Sequence, residues 1–560
     1  MSNKTYKVFV DKMGGTPANE YIADAGELFF DPESTTLRIG DGTNPGGVVV
    51  SSGGGDTDPS IFGPTISIGT GAGGNQGEHS VAVGYNAGHT GQAWSTVAIG
   101  NEAGYDNQQP SAVAIGRSAG NENQGWDAVA IGRFAGETDQ SDGTVAIGYY
   151  TGRENQRYHG VAIGAESGYE DQGYAAVAIG RSAGYDNQGT NGVAIGSRAG
   201  ETDQGYRAVA IGRSAGNEGQ EEHAVAIGSY AGENGQGFGA VAIGESAGNG
   251  WNSDQGAEAV AVGAYAGYSS QRYHAVAVGA QAGEYRQSYA SIAIGRSAGY
   301  EDQERNAIAI GSRAGESGQR VHGIAIGHYA GQNDQLATAV AIGEEAGQYN
   351  QGEHSVAIGR SAGNDGQGWT SVAIGRFAGM NDQGYSSVAI GRYAGKDNQA
   401  DETIAIGQQA GQIDQRYHSI AIGAESGYED QGYAAVAIGR TAGYYNQGTN
   451  GIAIGSRAAE YGQSQHGIAI GKYAGQTNQG QHAIAIGYGA GESNQYDNSI
   501  VLNATGNEVN PENPESFTVT PVRTVVALDG DFADFTHLCF YNPATGEIAK
   551  ISVADALTKF

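Results

Sequence analysis

Residues 111–132 read SAVAIGRSAGNENQGWDAVAIG and contain one unit of a repeat together with the start of the next. The repeated element is a small residue, Val or Ile, Ala, Ile or Val, and a closing Gly. Closing glycines stand at Gly84, Gly100 and Gly116, and the interval of 16 residues persists through most of the chain. A period this strict predicts a solenoid, in which each unit is one coil that stacks on its neighbours.

The register of the repeat is interrupted once. Steps of 16 reach Gly244, a single step of 19 leads to Gly263, and steps of 16 continue to Gly487. A diverged first copy occupies 65–69 and a last copy 499–503, which makes 28 copies in all. The sequence therefore predicts an all-β fold, a parallel β-solenoid of about 28 coils.

Each repeated element has the alternation of a short β-strand. Val113 and Ile115 point to one face, and Ala112 and Ala114 point to the other. Because burial of large apolar side chains stabilises a fold, we expect the Val/Ile face to line the core of the coil. The small-residue face would let another backbone approach closely, so we expect it to form the interface between subunits.

Two glycines mark the corners of each coil. In the last copy Asn503 replaces the closing Gly, and Asn tolerates positive φ well, which predicts a left-handed conformation at this corner. The second Gly lies four residues later, as in Gly104 and Gly120, and Ala459 replaces it in one coil. The second corner is therefore predicted to be the more permissive one.

One glutamine stands at a fixed position of each coil, beginning with Gln76, Gln92 and Gln108 and ending with Gln495. Stacked coils place such amides about 4.8 Å apart, where they can hydrogen-bond as a ladder. The 27 repeated positions favour this structural role over ligand binding, because binding sites are local.

The thin coil predicts an oligomer. One Val and one Ile in 16 residues provide little apolar burial against the conformational entropy lost when the coil becomes ordered. Contact with sister chains would bury more surface. We expect a parallel homotrimer about the long axis as the simplest closed arrangement.

Composition argues against several function classes. The chain has 560 residues with 97 Gly, 10 Pro and a formal net charge of −31, so it repels nucleic acid and anionic lipid headgroups. Cys539 is the single cysteine, which excludes an intrachain disulfide. The sequence begins without the apolar core of a secretory signal, and no stretch approaches a transmembrane span. We therefore expect assembly in the cytoplasm without membrane insertion.

The repeat resembles the head repeats of YadA-type trimeric adhesins, on sequences such as SVAIGRSAG at 355–363 and SIAIGAESG at 419–427. The resemblance covers about 61–503 and implies a left-handed parallel β-roll that is homotrimeric. Coils of that family are usually shorter than 16 residues, so the loop opposite the strand is expected to be longer here. Neither a secretion signal nor a membrane-anchoring β-barrel segment is expected, which disfavours a bacterial surface adhesin.

The two ends resemble viral proteins instead. Residues 26–47, GELFFDPESTTLRIGDGTNPGG, resemble N-terminal modules of tailed-phage fibre and appendage proteins, and 499–549 resemble the segment after such repeats in viral fibres. We therefore expect, in order, a β-rich virion-attachment module, a Gly/Ser linker, the solenoid shaft and a β-rich tip. Their predicted bounds are 1–50, 51–60, 61–503 and 504–560.

Three surface features are candidates for binding. Aromatic residues recur six positions before the closing Gly, where they suit glycan stacking or, as we favour, stacking on one another between coils. Nine of the twelve His occupy the next position without a His-x-His pair, so we expect solvated turn residues rather than metal ligands. The inserted residues include Trp251, a candidate lateral contact.

No catalytic, cofactor or metal site is predicted. Carboxylates are scattered through the turns, and Gly-rich matches such as GTGAGG are expected by chance among 97 Gly. We predict a non-enzymatic structural fibre of a bacteriophage virion, either a tail fibre or a neck or head fibre. Its N-terminal module would dock on other virion proteins, and the fibre would contact a host glycan or protein. The alternatives are a tailspike polysaccharide depolymerase, which needs a carboxylate-lined groove, and a bacterial trimeric adhesin.

Overall fold

The computed structural model describes residues 28–31, 36–39, 43, 48–51, 65–250, 255–521, 537–542 and 547–552. All regular elements in these residues are β-strands, and no helix occurs among them. The chain divides into two compact units, 1–387 and 388–560. Most of each unit is a parallel β-solenoid, with about 28 turns in all and roughly 16 residues per turn, as the repeat predicts.

One short strand per coil builds the first sheet. Val113–Ile115 pairs in parallel with Val129–Ile131, so that Val, Ala and Ile each face the same residue type one coil away. Val241 pairs with Val260 across the 19-residue step, because the insertion lies outside the strand and leaves the register intact.

In the first unit these strands are Ile66–Ile68, Val81–Val83, Val97–Ile99, Val113–Ile115, Val129–Ile131, Val145–Ile147, Val161–Ile163, Val177–Ile179, Val193–Ile195, Val209–Ile211, Val225–Ile227, Val241–Ile243, Val260–Val262, Val276–Val278, Ile292–Ile294, Ile308–Ile310, Ile324–Ile326, Val340–Ile342, Val356–Ile358 and Val372–Ile374. In the second unit they are Val388–Ile390, Ile404–Ile406, Ile420–Ile422, Val436–Ile438, Ile452–Ile454, Ile468–Ile470, Ile484–Gly487, Ile500–Asn503 and Phe517–Thr520.

A second ladder of short parallel strands runs along the coils, and each of its strands ends at the repeated glutamine. Its strands in the first unit are Asp106–Gln108, Glu122–Gln124, Thr138–Gln140, Asp186–Gln188, Thr202–Gln204, Asp365–Gln367 and Asn381–Gln383. Its strands in the second unit are Asp397–Gln399, Ile413–Gln415, Tyr445–Gln447, Tyr461–Gln463 and Thr477–Gln479. Between many other coils a single parallel bridge at the same position replaces a full strand pair, as between Glu154 and Glu170.

The core of the coil is the reverse of our expectation. Ala112 and Ala114 are fully buried, whereas Ile99 is 37% exposed and Ile486 is 40% exposed. The interior between the two ladders is narrow and is filled by Ala methyl groups and Gln side chains, and among the described coils only in the last does a Val, Val501, take the inner position. The predictions that Val and Ile form the core, and that the small-residue face is free for a subunit interface, were therefore wrong.

The two glycine corners differ in conformation. Gly116 has a φ of 133°, and a Cβ there would lie 2.4 Å from the carbonyl oxygen of Gly132 in the next coil. Gly120 has a φ of 51°, in the left-handed region that other residues can enter, and Ala459 adopts 48° at the same corner. The second corner is thus the more permissive, as predicted. Asn503 does not adopt a positive φ, so the left-handed conformation inferred from it was wrong for that residue.

Short antiparallel sheets occur near both ends of the chain. The strands Leu28–Asp31, Thr36–Ile39 and Val48–Ser51 form one sheet in that order, and His537–Asn542 pairs with Glu547–Ser552. The solenoid ladder continues one strand past 503, because Phe517–Thr520 pairs in parallel with the preceding strand. The predicted linker lies outside the described residues except for Ser51.

Candidate functional site: the outer surface of the coils

The repeated glycines hold neighbouring coils in backbone contact. A Cβ at Gly84 would lie 2.3 Å from the carbonyl oxygen of Gly100, and a Cβ at Gly100 would lie 2.3 Å from that of Gly116. No other residue fits this spacing, so these positions are part of the scaffold.

The repeated glutamines lie inside the coil rather than on its surface. Gln108 is fully buried, and its Nε2 donates to Oε1 of Gln124 in the next coil at 3.0 Å. The same nitrogen lies 3.1 Å from the carbonyl oxygens of Val97 and Ala112. Gln92 donates to Gln108 in the same way at 3.1 Å. The backbone N–H of Val97 also donates to the carbonyl oxygen of Ala112, at 3.0 Å. The glutamine ladder therefore adds a second hydrogen bond to buried backbone carbonyls and keeps its own amides paired.

The glutamine ladder is interrupted at three places among the described residues. Gln76, at the diverged end, donates to the carbonyl oxygen of Ile66 at 3.1 Å. Among the described residues, the Oε1 atoms of Gln92, Gln140 and Gln255 are buried without a hydrogen-bond partner, and Gln255 follows the inserted residues.

The outward face of the first sheet is a row of half-exposed apolar side chains. Each coil contributes its Val and its Ile or Val, and no described segment of the chain covers them. The most exposed members, at 36–50%, are Ile68, Ile99, Ile227, Ile243, Ile294, Ile342, Ile358, Ile406, Ile470 and Ile486. A regular apolar row of this kind is a candidate interaction surface.

Three further positions of the coil have positive φ, and the sequence analysis did not predict them. Ser118, Asn123 and Asp127 show them in one coil, with φ of 53°, 55° and 54°. At the second of these positions side chains form an outer ladder: Asn107 donates to Asn123, and Asn123 donates to Asp139, each at 2.9 Å. The recurrence of Asn, Asp and Gly at this position was the signal that could have identified it.

The aromatic and His rows mainly contact one another. The ring of Tyr174 meets the edge of His159 at 5.8 Å, and Tyr433 meets His418 at 5.3 Å. Tyr174 and Tyr433 are each 47% exposed, so one side of these rings faces solvent. Throughout the described part of the chain, no group of three or more His, Cys, Asp or Glu could hold a metal ion.

Two carboxyls at the same coil position, those of Glu284 and Glu460, are buried. Glu284 is only 5% exposed, and this burial raises its pKa above the ordinary value. Hydrogen bonding to Glu284 and burial raise the pKa of Tyr285 to about 12. Glu284 lies beside Tyr285 and Tyr300 in a local cluster without a nucleophile or base partner.

Two grooves open on the second ladder and the turn that follows it. The first, of about 410 Å³, is lined by Trp369, Tyr385 and the polar residues Asp334, Asn350 and Asp382.

The second groove, of about 590 Å³, is lined by arginines and carboxylates that pair with one another. Arg286 contacts Asp302 at 2.5 Å and Glu301 at 3.1 Å, and Arg320 contacts Glu304 at 2.8 Å. These ion pairs occupy the guanidinium groups of both arginines.

The predicted lateral contact at Trp251 lies outside the described residues. In the part of the chain that the structure covers, no helix is long and apolar enough to span a membrane. Comparison with models of protein families, with curated proteins and with solved structures finds no match.

Proposed function

We propose that the chain is the shaft of a non-enzymatic, homotrimeric fibre of a bacteriophage virion. The observation that carries this proposal is the uncovered Val/Ile face, repeated coil after coil along the parallel ladder. A repeat whose rungs are nearly identical suits a rigid spacer better than a catalyst, which needs one local site.

The trimer interface in this proposal is the Val/Ile face rather than the alanine face. Alanine at the centre of each strand is already buried within its own coil, whereas Val and Ile expose apolar surface that association would remove from water. Three equivalent rows around one axis cover one another and close the assembly. The left-handed sense of the coil and the threefold axis follow the resemblance to YadA-type head repeats.

The virion setting rests on the resemblance of residues 26–47 and 499–549 to phage fibre modules. In this proposal the N-terminal module docks on other virion proteins, and the shaft with its C-terminal tip reaches a host surface. Labelling purified particles with an antibody against the shaft tests the location, since a particle without label would contradict it.

Light scattering tests the assembly. We expect a mass of three times the chain mass of 57.3 kDa, and a stable monomer would refute the trimer. Ile342→Glu together with Ile358→Glu should release monomers, because each coil would bring three carboxylates to the axis, at a cost of several kcal/mol.

The matched control places two glutamates in the same coils but in the turns, with Thr338→Glu and His354→Glu. Glu258 and Glu402 occupy this turn position naturally, with φ of 56° and 58°. The control should remain trimeric. If the control dissociated to the same extent as the Ile342→Glu, Ile358→Glu variant, the Val/Ile face would not be the subunit interface.

A further inference from the structure

The groove beside Trp369 differs from the rest of the aromatic row. Trp369 and Tyr385 are 53% and 55% exposed, and their rings meet edge to face at 6.1 Å. The two rings form one wall of the cavity of about 410 Å³, which lies within the size range of small-molecule sites.

Glycines form the floor of this groove. Gly352, Gly368 and Gly384 precede the aromatic position in three successive coils, where other coils carry residues such as Arg320 or Glu304. A Cβ at Gly368 would lie 2.6 Å from the backbone of Gly384, so the floor stays free of side chains. The groove is therefore a built concavity.

The lining also includes polar groups whose side chains lack hydrogen-bond partners among the described residues. Asp334, Asn350 and Asp382 occupy the position of the outer Asn/Asp ladder, but Gly366 interrupts it between the last two. Within the described residues, the side chains of these three form no hydrogen bond or ion pair. Elsewhere the same ladder is closed, as between Asn187 and Asp203 at 2.7 Å.

The backbone fixes these polar groups in place. Asp334, Asn350 and Asp382 have φ of 54°, 53° and 52°, the same left-handed conformation in each coil. The backbone at these positions therefore follows the same course, one coil apart between Asp334 and Asn350 and two coils apart between Asn350 and Asp382, and all three residues line the cavity together with the two exposed rings. Leu336 adds an apolar surface at one end.

We propose that this groove binds a neutral oligosaccharide. The apolar face of a sugar ring would lie against Trp369, while its hydroxyls would donate to Asp334 and Asp382 and exchange hydrogen bonds with Asn350. The groove extends over four coils, about 14 Å at about 4.8 Å per step, which suits several linked sugars. The chain charge of −31 and two carboxylates in the groove disfavour an anionic glycan.

The site does not compete with the proposed trimer interface. Its residues belong to the second ladder and the following turn, whereas Val and Ile lie on the outward face of the first sheet. In the proposed fibre, this groove would be a host-contact site on the shaft. Only that biological role rests on the proposed function, because sugar binding is argued from the groove itself.

Binding is tested on the full chain by saturation-transfer NMR with maltotetraose, cellotetraose and mannotetraose, and with sialyllactose as the anionic probe. We expect at least one neutral tetrasaccharide to bind, Trp369→Ala to weaken it about tenfold, and Asp382→Asn to weaken it less. Trp126→Ala is the matched control. Trp126 has the same coil position and is 54% exposed, but its indole N–H already donates to Gln109 at 3.2 Å and its polar ladder is closed.

Absence of binding by all three neutral probes at about 10 mM would overturn the proposal. Preference for sialyllactose, or equal losses in Trp126→Ala and Trp369→Ala, would also overturn it. A change of particle mass in Trp369→Ala would indicate a protein contact instead of a sugar site. Light scattering on the same samples distinguishes the two proposals. A monomer that still binds the sugar would contradict the proposed trimeric fibre but not the sugar site.

Discussion

The inner and outer faces of the first sheet carry side chains of opposite size. Inside, each strand from the one at Ala82 to the one at Ala485 contributes one fully buried Ala at its centre. Outside, Val and Ile remain partly exposed along the coils. In this fold the space between two closely spaced ladders determines which residues are buried, and it leaves the larger apolar side chains on the partly exposed outer face.

The largest effect is expected from enlarging the inner face. Ala178→Leu adds volume to a fully buried position and should lower the free energy of unfolding by about 3 kcal/mol through overpacking. Val177→Leu, one residue earlier on the outer face, should cost less than about 1 kcal/mol. Urea unfolding at one fixed protein concentration measures both, and equal losses would contradict the narrow interior.

The next effect concerns the polar part of the interior. Gln188→Leu removes the donor to the carbonyl oxygen of Val177 at 2.9 Å and to Oε1 of Gln204 at 3.0 Å. The variant also loses the bond that Gln172 Nε2 donates to Gln188 at 3.1 Å, and it leaves Oε1 of Gln204 buried without a donor, which together should cost about 2–3 kcal/mol.

Asn187→Gly is the control for this change, since it removes only an exposed ladder contact and keeps a residue suited to the φ of 54°. It should change stability by less than about 0.5 kcal/mol. A Gln188→Leu chain as stable as the wild type would show that the buried ladder contributes nothing to the interior.

The smallest expected effect is a difference in melting temperature between variants of two buried carboxyls, Glu284 and Glu460, which occupy the same coil position. Burial raises the pKa of Glu284, so its ionised form is less favourable in the folded than in the unfolded chain. The contribution of Glu284 to the free energy of unfolding is therefore fully present below the ordinary carboxyl pKa. It is lost as the pH rises through the raised pKa of the folded chain. Glu284→Gln should melt slightly higher than the wild type at about pH 7 and equally at about pH 4.

Glu460→Gln provides the comparison, because Glu460 is also 5% exposed but accepts a hydrogen bond from Gln476 and lies 3.9 Å from Arg457. It should show no gain at neutral pH. Melting curves that change equally for both variants would contradict the assignment of the pKa shift to burial of Glu284.

Much of the solenoid could be predicted because its determinants are local. The strand of Val113–Ile115, the corner at Gly116 and the fixed position of Gln108 each follow from one coil and its period. The outer ladder at Asn123 had a signal in the recurrence of Asn and Asp, but the weaker pattern was overlooked. The groove at Trp369 could not be found this way, since it depends on which side chains of four successive coils line one cavity.

By itself the sequence determined the coil length, the parallel register and the invariant glycine and glutamine positions, because a strict period imposes the same backbone on every turn. Only the tertiary structure decided which face of the strand is inside. Alternation separates Val and Ile from Ala without saying which side is narrow, and the answer depends on how closely the second ladder approaches the first.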